Sequence, residues 1–256
     1  MRRALAADKL LLEFTDGMCN ELAWPNAMLE TFSREPLLAD FCIAASNYTR
    51  KTLSENGVAE DRIRVIPYGV DLDFFTAEFR RKRSFTVLFV GQLVRQKGIH
   101  YLLEAWRRLS LPTSALRVVG RGDGAGGFVR EYKDRVTFLG GMDWQSLRAE
   151  YQQADLICLP SLSDGFGLVV LEALACGTPV LLTESCGAAD VVREGENGFL
   201  VPAADLQSLM TKLEWAFTYR QDLHRMRAAA RETATQYPRK RFRTQLAETL
   251  GCLRPE

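Results

Sequence analysis

The stretch from residue 155 to residue 182 constrains the fold of this chain more than any other part of the sequence. It reads as an apolar run, a loop, an apolar helix and a second apolar run, at residues 155–159, 161–167, 168–175 and 180–182. Pro160 ends the first run, and Gly177-Thr178-Pro179 gives the helix a stop that is typical of helix C-termini. A helix that connects two strands in this way predicts parallel pairing, with the helix packed against the sheet.

Two acidic residues and two glycines give this stretch its candidate chemistry. In an open parallel sheet, ligands bind beyond the carboxyl ends of the strands, where helix N-termini present free N–H groups. Gly165 and Gly167 would let a ligand approach the loop backbone closely. Glu172 lies inside an otherwise apolar helix, so we expect it to face a polar ligand or a basic group. Asp164 precedes it by eight positions, so both carboxylates are expected to line one cleft.

The same residues resemble a known family. Asp164-Gly165-Phe166-Gly167, Glu172-Ala173-Leu174-Ala175 and Gly177-Thr178-Pro179 are similar to the donor-site signature of glycosyltransferase family 4, the glycosyl transferases group 1. Members have the GT-B fold, use nucleotide-sugar donors and retain the anomeric configuration. The resemblance implies that Glu172 holds the ribose hydroxyls and that Asp164, with Gly165 and Phe166, lies at the donor sugar. Asp164, where the family usually has Glu, and Glu172 are therefore the predicted catalytic residues.

A second glycine-containing loop carries the candidate diphosphate site. Gly91-Gln92-Leu93 and Arg95-Gln96-Lys97-Gly98 resemble the phosphate-binding loop of the family, with Lys97 at its lysine and Arg95 as a substitute for the arginine that commonly follows the first glycine. Fixed cations and a helix N-terminus stabilise a departing diphosphate without a bound metal. The resemblance thus implies a diphosphate site of Arg95, Lys97 and the Gly167 and Leu168 amides, with no metal or other cofactor. It also places Gly141 and Met142 near the nucleotide base.

Composition excludes several broad classes. The chain is 47% hydrophobic and 25% charged with a net charge of +1, which is ordinary for a soluble protein and gives no indication of a nucleic-acid partner. Its six cysteines form no C-x-x-C pair and are interpreted as free or buried thiols of a reducing compartment. No run approaches the ~18 apolar residues of a membrane span. We therefore expect a cytoplasmic protein, with peripheral membrane contact left open.

The chain as a whole predicts an α/β protein of the GT-B type. Six apolar runs alternate with helices and predict a doubly wound, Rossmann-like domain, with strands at 85–90, 116–119, 136–139, 155–159, 180–182 and 199–201. The preceding segment resembles the end of an N-terminal Rossmann-like domain and its hinge. The predicted division is an acceptor-side remnant at 1–70, a linker at 71–84, the nucleotide-sugar domain at 85–219, and C-terminal helices at 220–256 that cross back onto the first domain.

The predicted function is transfer of a sugar from a nucleotide-sugar donor to an unidentified sugar, lipid-linked or small-molecule acceptor. Relative to the family the chain looks shortened at its N-terminus, so a non-catalytic donor-binding fragment, or one docked on a partner chain, stays open as an alternative. A further alternative is a nicotinamide-dependent oxidoreductase, because Gly120-Arg121-Gly122-Asp123-Gly124-Ala125 fits the dinucleotide fingerprint G-x-G-x-x-A. His100, His224 and Cys186 are assigned no catalytic role.

Overall fold

The computed structural model describes residues 25–78, 84–122 and 130–252. Its first part is a small unit of two helices and two strands, which are α1 (Asn26–Leu38), β1 (Cys42–Ala44), α2 (Asn47–Glu55) and β2 (Ile63–Val65). The two strands pair in parallel. Ser46 caps α2, because its side chain accepts a hydrogen bond from the Thr49 amide. The sequence pattern predicts a helix from Glu21 to Phe32; in the structure α1 begins after Pro25 and continues through Pro36 to Leu38.

A six-stranded parallel sheet forms the larger part of the chain. Its strands are β3 (Phe85–Val90), β4 (Ser114–Val119), β5 (Val136–Gly140), β6 (Leu156–Leu159), β7 (Val180–Thr183) and β8 (Gly198–Val201). They lie in the order β5-β4-β3-β6-β7-β8, and every neighbouring pair is parallel. All six residues of β3 are buried, as expected for a strand covered by helices on both faces. Each of the six predicted strands is therefore present, with shifts of at most two residues at the ends.

Helices cover both faces of this sheet. They are α3 (Ile99–Leu109), α4 (Trp144–Gln153), α5 (Leu168–Ala175), α6 (Leu206–Thr218), α7 (Arg220–Thr235) and α8 (Arg239–Gly251). Asp143 and Asp205 cap α4 and α6 through the amides of Ser146 and Ser208. Six of the eight residues of α5 are buried, so the apolar helix of the central stretch lies in the core.

The sequence predicts a helical C-terminal region, and the structure has two helices there. Pro238 lacks an amide hydrogen and restricts the residue before it, so α7 ends at Thr235 and α8 starts at Arg239. The short helix that the sequence predicts from Ala188 to Arg193 is a 3-10 helix over Gly187–Val191.

The linker after the small unit is held by the C-terminal helices. The Val70 amide donates to the Tyr237 carbonyl at 2.9 Å, and the Arg239 amide donates to the Val70 carbonyl at 2.9 Å. The Tyr68 ring packs edge-on against Phe242, with ring centroids 5.3 Å apart. The residues that join the two units are therefore fastened to the end of the larger one.

Some sequence predictions fall outside the described residues. These are the amphipathic segment Ala4–Leu12, the basic run Arg80-Arg81-Lys82-Arg83, and part of both the Gly120–Ala125 loop and the helix predicted from Phe128 to Lys133. No helix within the three described ranges combines the length and the apolar character that crossing a membrane requires.

Candidate functional site

A cleft opens where the two sheets present the carboxyl ends of their strands. Its volume is about 420 Å³, and its floor includes Val90 and Gly91 at the end of β3 and Leu159 at the end of β6. β3 and β6 are neighbours although the chain leaves β3 toward β4, so the strand order reverses between them. Such a reversal is the topological switch point, the place where open α/β sheets bind their ligands. The cleft therefore lies where the fold favours a ligand site.

The first wall of the cleft is the loop before α5. The cleft lining on this side consists of Asp164, Gly165, Phe166, Gly167 and Leu168. That this loop binds the donor remains a prediction. Gly167 is the residue before the helix and has φ 83°, a left-handed conformation that glycine adopts without strain. The first amides of a helix have no partner within the helix, so the N-terminus of α5 offers N–H donors and a partial positive charge to an anion in the cleft.

This loop is fixed by the segment after β7. The Asp164 amide donates to the Ser185 carbonyl at 2.9 Å, and the Gly187 amide donates to the Asp164 carbonyl at 2.8 Å. The Cys186 thiol lies 3.2 Å from the Phe166 carbonyl, and burial raises the pKa of this thiol to about 12. A thiol with that pKa is protonated near neutral pH and is a poor nucleophile. Cys186 therefore acts as a structural residue beneath the loop.

A lysine forms the opposite wall. Lys97 ends a 3-10 turn after β3, lines the cleft, and places its Nζ 2.6 Å from Oδ2 of Asp164. The sequence had assigned these two residues to different parts of a ligand, and the structure pairs them with each other. Both side chains are mostly buried, at 24% and 13% exposure, so the pair is less screened than a surface ion pair. A ligand that binds here must therefore either break this ion pair or interact with both charged groups.

Arg95 does not share the position of Lys97. It begins the same 3-10 turn, but the residue is 7% exposed, and the lining of the cleft found within the described ranges includes Lys97 without Arg95. Because 3-10 turns have three residues, side chains two positions apart leave the turn in different directions. Sequence spacing alone could not separate these two cations.

Glu172 lies one turn along α5 from the cleft and is not part of the lining found in the described residues, so of the two carboxylates expected there only Asp164 lines it. It follows Leu168, which lines the cleft, by four positions and so shares its face of the helix. Its carboxylate Oε2 accepts a hydrogen bond of 2.8 Å from the hydroxyl of Tyr151 in α4. Burial raises the pKa of Glu172, while the Tyr151 hydrogen bond and the positive charge of Arg239 act in the opposite direction. The Tyr151 phenol is a hydrogen-bond partner of Glu172 that the sequence did not indicate.

Gly141 and Met142 follow β5, at the edge of the sheet. Gly141 is exposed, and Met142 is half-buried and packs on the core. β5 is separated from the switch point by β4 and β3, and neither residue belongs to the cleft lining found in the described part of the chain. They lie at the same carboxyl edge of the sheet as the cleft. That they contact the nucleotide base remains a prediction.

The small unit and the linker after it contribute residues that the sequence did not predict as site residues. Thr49 and Tyr68 line the cleft, and the hydroxyls of Ser46 and Thr49 donate to the Gly165 carbonyl at 2.7 and 2.9 Å. Tyr68 also packs edge-on against Phe166, with centroids 5.3 Å apart. Ser46 carried a readable signal as a helix cap, but its bond to Gly165 joins residues 119 positions apart. These contacts dock the small unit directly onto the loop before α5.

The dinucleotide alternative is not favoured by the fold. Gly120 and Gly122 follow β4, which lies one strand away from the switch point, whereas a dinucleotide fingerprint belongs to the turn at that point. A Cβ atom on Gly120 would lie 1.8 Å from the Gly91 carbonyl oxygen, and one on Gly122 would lie 2.5 Å from the Leu93 carbonyl oxygen. The close approach of two loops therefore explains these glycines without a cofactor.

The two histidines differ in their surroundings. His100 is buried in α3 with its ring beside Tyr101, and His224 is exposed on α7. Neither is part of the cleft lining found among the residues described above. The geometry adds no role for either of them.

Comparison with known proteins identifies proteins that are similar to this chain. The chain is 33% identical over 205 residues to D-inositol 3-phosphate glycosyltransferase of Paenarthrobacter aurescens, covering 71% of this chain and 50% of that protein. The chain spans about half the length of the curated relatives it matches.

Solved structures show the same fold. Sucrose-phosphate synthase from Thermosynechococcus elongatus superposes with a TM-score of 0.80 at 29% identity, covering 92% of this chain and 64% of that one. HepE of Anabaena, solved with UDP-glucose, superposes with a TM-score of 0.78 at 23% identity, covering 91% and 70% of the two chains. The fold is that of GT-B glycosyltransferases, as the sequence predicted. The family model "Glycosyl transferases group 1" matches residues 72–233, which is more than half of the chain, so the chain belongs to this family.

Proposed function

We propose that this chain is the donor-binding part of a retaining family 4 glycosyltransferase, which transfers a sugar from a nucleoside diphosphate to an acceptor. The observation that carries the proposal is the cleft at the switch point, where Lys97 and the N-terminus of α5 face the same space. A departing nucleoside diphosphate develops negative charge, and these two groups supply fixed positive charge at that place. The step therefore needs no metal ion. Retention at the anomeric carbon rests on the resemblance to the family.

The remaining predicted residues take their roles around this anion site. Asp164 and Gly165 lie beside Lys97 at the mouth of the loop, where the donor sugar would follow the diphosphate. Glu172 lies one turn deeper on the same face of α5, within reach of ribose hydroxyls, and Gly141 and Met142 extend the edge toward a base. Arg95 is buried beneath the Lys97 turn, so we assign it to support of that turn.

The domain division is part of the same proposal. Residues 71–84 link an acceptor-side part at 1–70 to a donor domain at 85–219, and residues 220–256 return to the first part. The start of the family match at residue 72 and the contacts of Tyr68 and Val70 with the C-terminal segment support it. The acceptor, which is a sugar, a lipid-linked or a small molecule, would be bound with the help of further protein, either in the same polypeptide or in a partner chain. Free buried thiols at Cys158 and Cys176 support a cytoplasmic location, with peripheral membrane contact for a lipid-linked acceptor.

Calorimetric titration of the chain with UDP, GDP and ADP tests this proposal. HepE was solved with UDP-glucose, so UDP is the first nucleotide to test. We expect one of the three nucleotides to bind more tightly than inorganic pyrophosphate, because the nucleoside adds contacts to those of the diphosphate. Equal, weak binding of all three nucleotides and pyrophosphate would contradict a nucleoside-specific site.

Replacing Lys97 by methionine tests the diphosphate assignment. We expect about a tenfold weaker affinity for the tightest nucleotide, because one charge-assisted hydrogen bond to phosphate is lost. Lys212→Met is the matched control, since Lys212 forms an ion pair of 2.7 Å with Glu194 elsewhere on the domain. If the two variants lose the same affinity, Lys97 has no specific contact with the diphosphate.

Replacing Asp164 by asparagine should have the opposite effect on free UDP. The variant removes the carboxylate that holds Lys97 at 2.6 Å, so Lys97 becomes available to phosphate and UDP affinity should rise about threefold. The gain should be absent for UDP-glucose if Asp164 also contacts the donor sugar. Calorimetry with both ligands measures the difference, and Asp222→Asn, which alters the exposed pair with Arg225, is the control. A fall in UDP affinity would refute competition between Asp164 and the phosphates.

A further inference from the structure

The buried carboxylate of Glu172 has a dedicated hydrogen-bond donor. Glu172 lies in the middle of α5, where six of eight residues are buried, and an ionised side chain in such a place requires a polar partner. The Tyr151 hydroxyl supplies one, at 2.8 Å from Oε2. An ionised carboxylate accepts up to about four hydrogen bonds, so Oε1 can still accept from a ligand hydroxyl. The Tyr151 hydroxyl thus fixes Oε2 of Glu172 and leaves Oε1 for the ligand.

Tyr151 is itself held from two sides. It is fully buried, and its ring packs edge-on against Phe75, with centroids 6.0 Å apart. Its backbone carbonyl accepts a hydrogen bond of 2.7 Å from the Thr178 hydroxyl, in the turn that ends α5. Because packing holds the Tyr151 side chain, its hydroxyl keeps one direction. Glu172 must therefore adopt the rotamer in which its carboxylate accepts a hydrogen bond from that hydroxyl.

The charges around Glu172 make the phenol the decisive partner. Within the described residues, Arg239 from α8 lowers the pKa of Glu172 by its positive charge, and Glu172 in turn helps to raise the pKa of Cys176 at the end of α5. Burial raises the pKa of Cys176 to about 12, so this thiol is neutral near pH 7. The Arg239 side chain is half-exposed and forms an ion pair with Asp71, which weakens its effect on Glu172. The pKa of Tyr151 is raised well above its ordinary value by burial, so the hydroxyl remains a donor.

We propose that Tyr151 is a positioning residue of the nucleotide site, whose hydroxyl fixes the Glu172 carboxylate in the orientation that receives the ribose hydroxyls. The proposal rests on the proposed function, because it assigns Glu172 to the ribose. Tyr151 does not touch the ligand and acts through Glu172 alone. Its removal should therefore affect ribose recognition and leave diphosphate binding intact.

Tyr151→Phe tests this role, with calorimetric titration of UDP and of pyrophosphate. Phenylalanine keeps the ring in place, so we expect UDP affinity to fall about five- to tenfold while pyrophosphate affinity is unchanged. Tyr132→Phe is the matched control, because Tyr132 is also buried and shares a hydrogen bond with Arg107, at the far end of α3 from the cleft. That variant should bind both ligands like the wild type. Pyrophosphate binding by Tyr151→Phe also reports that the variant is folded.

The pH dependence of UDP binding gives a second readout that loss of packing would not change. UDP affinity should fall as pH drops through the pKa of Glu172, because only the ionised carboxylate binds the ribose well. The Tyr151 hydrogen bond lowers this pKa, so its removal should move the fall in affinity to higher pH. In a Glu172→Ala background, Tyr151→Phe should have no further effect on UDP affinity.

The outcomes separate this inference from the function on which it rests. If wild type binds UDP no more tightly than pyrophosphate, the proposed function fails and the inference fails with it. If Glu172→Ala weakens UDP binding while Tyr151→Phe keeps the wild-type affinity and pH profile, the nucleotide site stands and the positioning role is refuted. An additional loss caused by Tyr151→Phe in the Glu172→Ala background would also refute it.

Discussion

Gly98→Ala is expected to destabilise the chain by about 3–5 kcal/mol, because the added methyl group meets both an unfavourable backbone conformation and a steric clash. Gly98 joins the Lys97 turn to α3 and has φ 66°, which costs a residue with a side chain about 1–2 kcal/mol. A Cβ atom would also lie 1.8 Å from the Pro160 carbonyl oxygen, far inside van der Waals contact. One of the two backbone segments must move, and both belong to buried loops beside the cleft.

Gly140→Ala is the control that separates these two effects. Gly140 has φ 67°, nearly the same conformation, but a Cβ atom there would have no neighbour within 4 Å. Its substitution should cost only the conformational part, about 1–2 kcal/mol, in urea unfolding monitored by circular dichroism. The difference between the two variants then measures the contact with Pro160. Equal losses would show that the backbone near Gly98 relaxes freely, contrary to this prediction.

The close approach at Gly98 also bears on the site. The Leu162 amide donates to the Gln96 carbonyl at 2.8 Å, so the turn that carries Lys97 is bound to the loop that leads to Asp164. A methyl group between Gly98 and Pro160 would separate the two loops. The molecules of Gly98→Ala that remain folded should therefore bind nucleotide more weakly, whereas those of Gly140→Ala should not.

Much of this architecture could be predicted because it depends on local patterns. Continuous apolar runs between turn residues identified all six strands of the large sheet, and the strand, loop and helix of the central stretch followed from glycine and proline punctuation. Since parallel strands present their carboxyl ends at one edge, the loops that carry Lys97 and Asp164 could be expected to face one cleft. In the structure, Nζ of Lys97 lies 2.6 Å from Oδ2 of Asp164.

The contacts that could not be predicted from the sequence depend on packing between distant elements. The Tyr151 hydroxyl meets Glu172 because α4 and α5 lie side by side, and nothing in the apolar pattern of either helix indicates that pair. Arg95 and Lys97 look equivalent as loop cations, yet their turn buries one and presents the other to the cleft. The hydroxyls of Ser46 and Thr49 reach Gly165 only once the two units have docked.

Glu172→Ala should have the largest effect on ligand binding, with UDP affinity reduced about 30-fold or more. A carboxylate that accepts charge-assisted hydrogen bonds from ribose hydroxyls contributes about 1.5–3 kcal/mol for each bond, and alanine removes them all. The loss should depend on the ribose. Wild type should bind UDP more tightly than 2′-deoxy-UDP, and Glu172→Ala should bind the two nearly equally. Calorimetry with both nucleotides measures the ratio, and an unchanged preference for UDP would place the ribose elsewhere.

The stability of Glu172→Gln provides an independent check of the same carboxylate. Burial raises the pKa of Glu172 in the folded protein, so its ionised form destabilises the fold at every pH above that raised value. Glutamine has no charge to bury, and its amide oxygen can still accept the Tyr151 hydrogen bond. We therefore expect Glu172→Gln to melt at a higher temperature than wild type at pH 7, with the gain vanishing as the pH falls below the ordinary pKa of a glutamate.

A higher melting temperature of Glu172→Gln, together with weaker UDP binding, would show that Glu172 serves ligand binding and lowers the stability of the fold. A carboxylate that served only the structure would behave in the opposite way, since its replacement would lower the melting temperature and leave UDP affinity unchanged. The two measurements on Glu172→Gln thus separate the roles even where the acceptor is unknown. A drop in melting temperature at pH 7 with wild-type UDP affinity would remove Glu172 from the site and, with it, the ribose side of the proposed function.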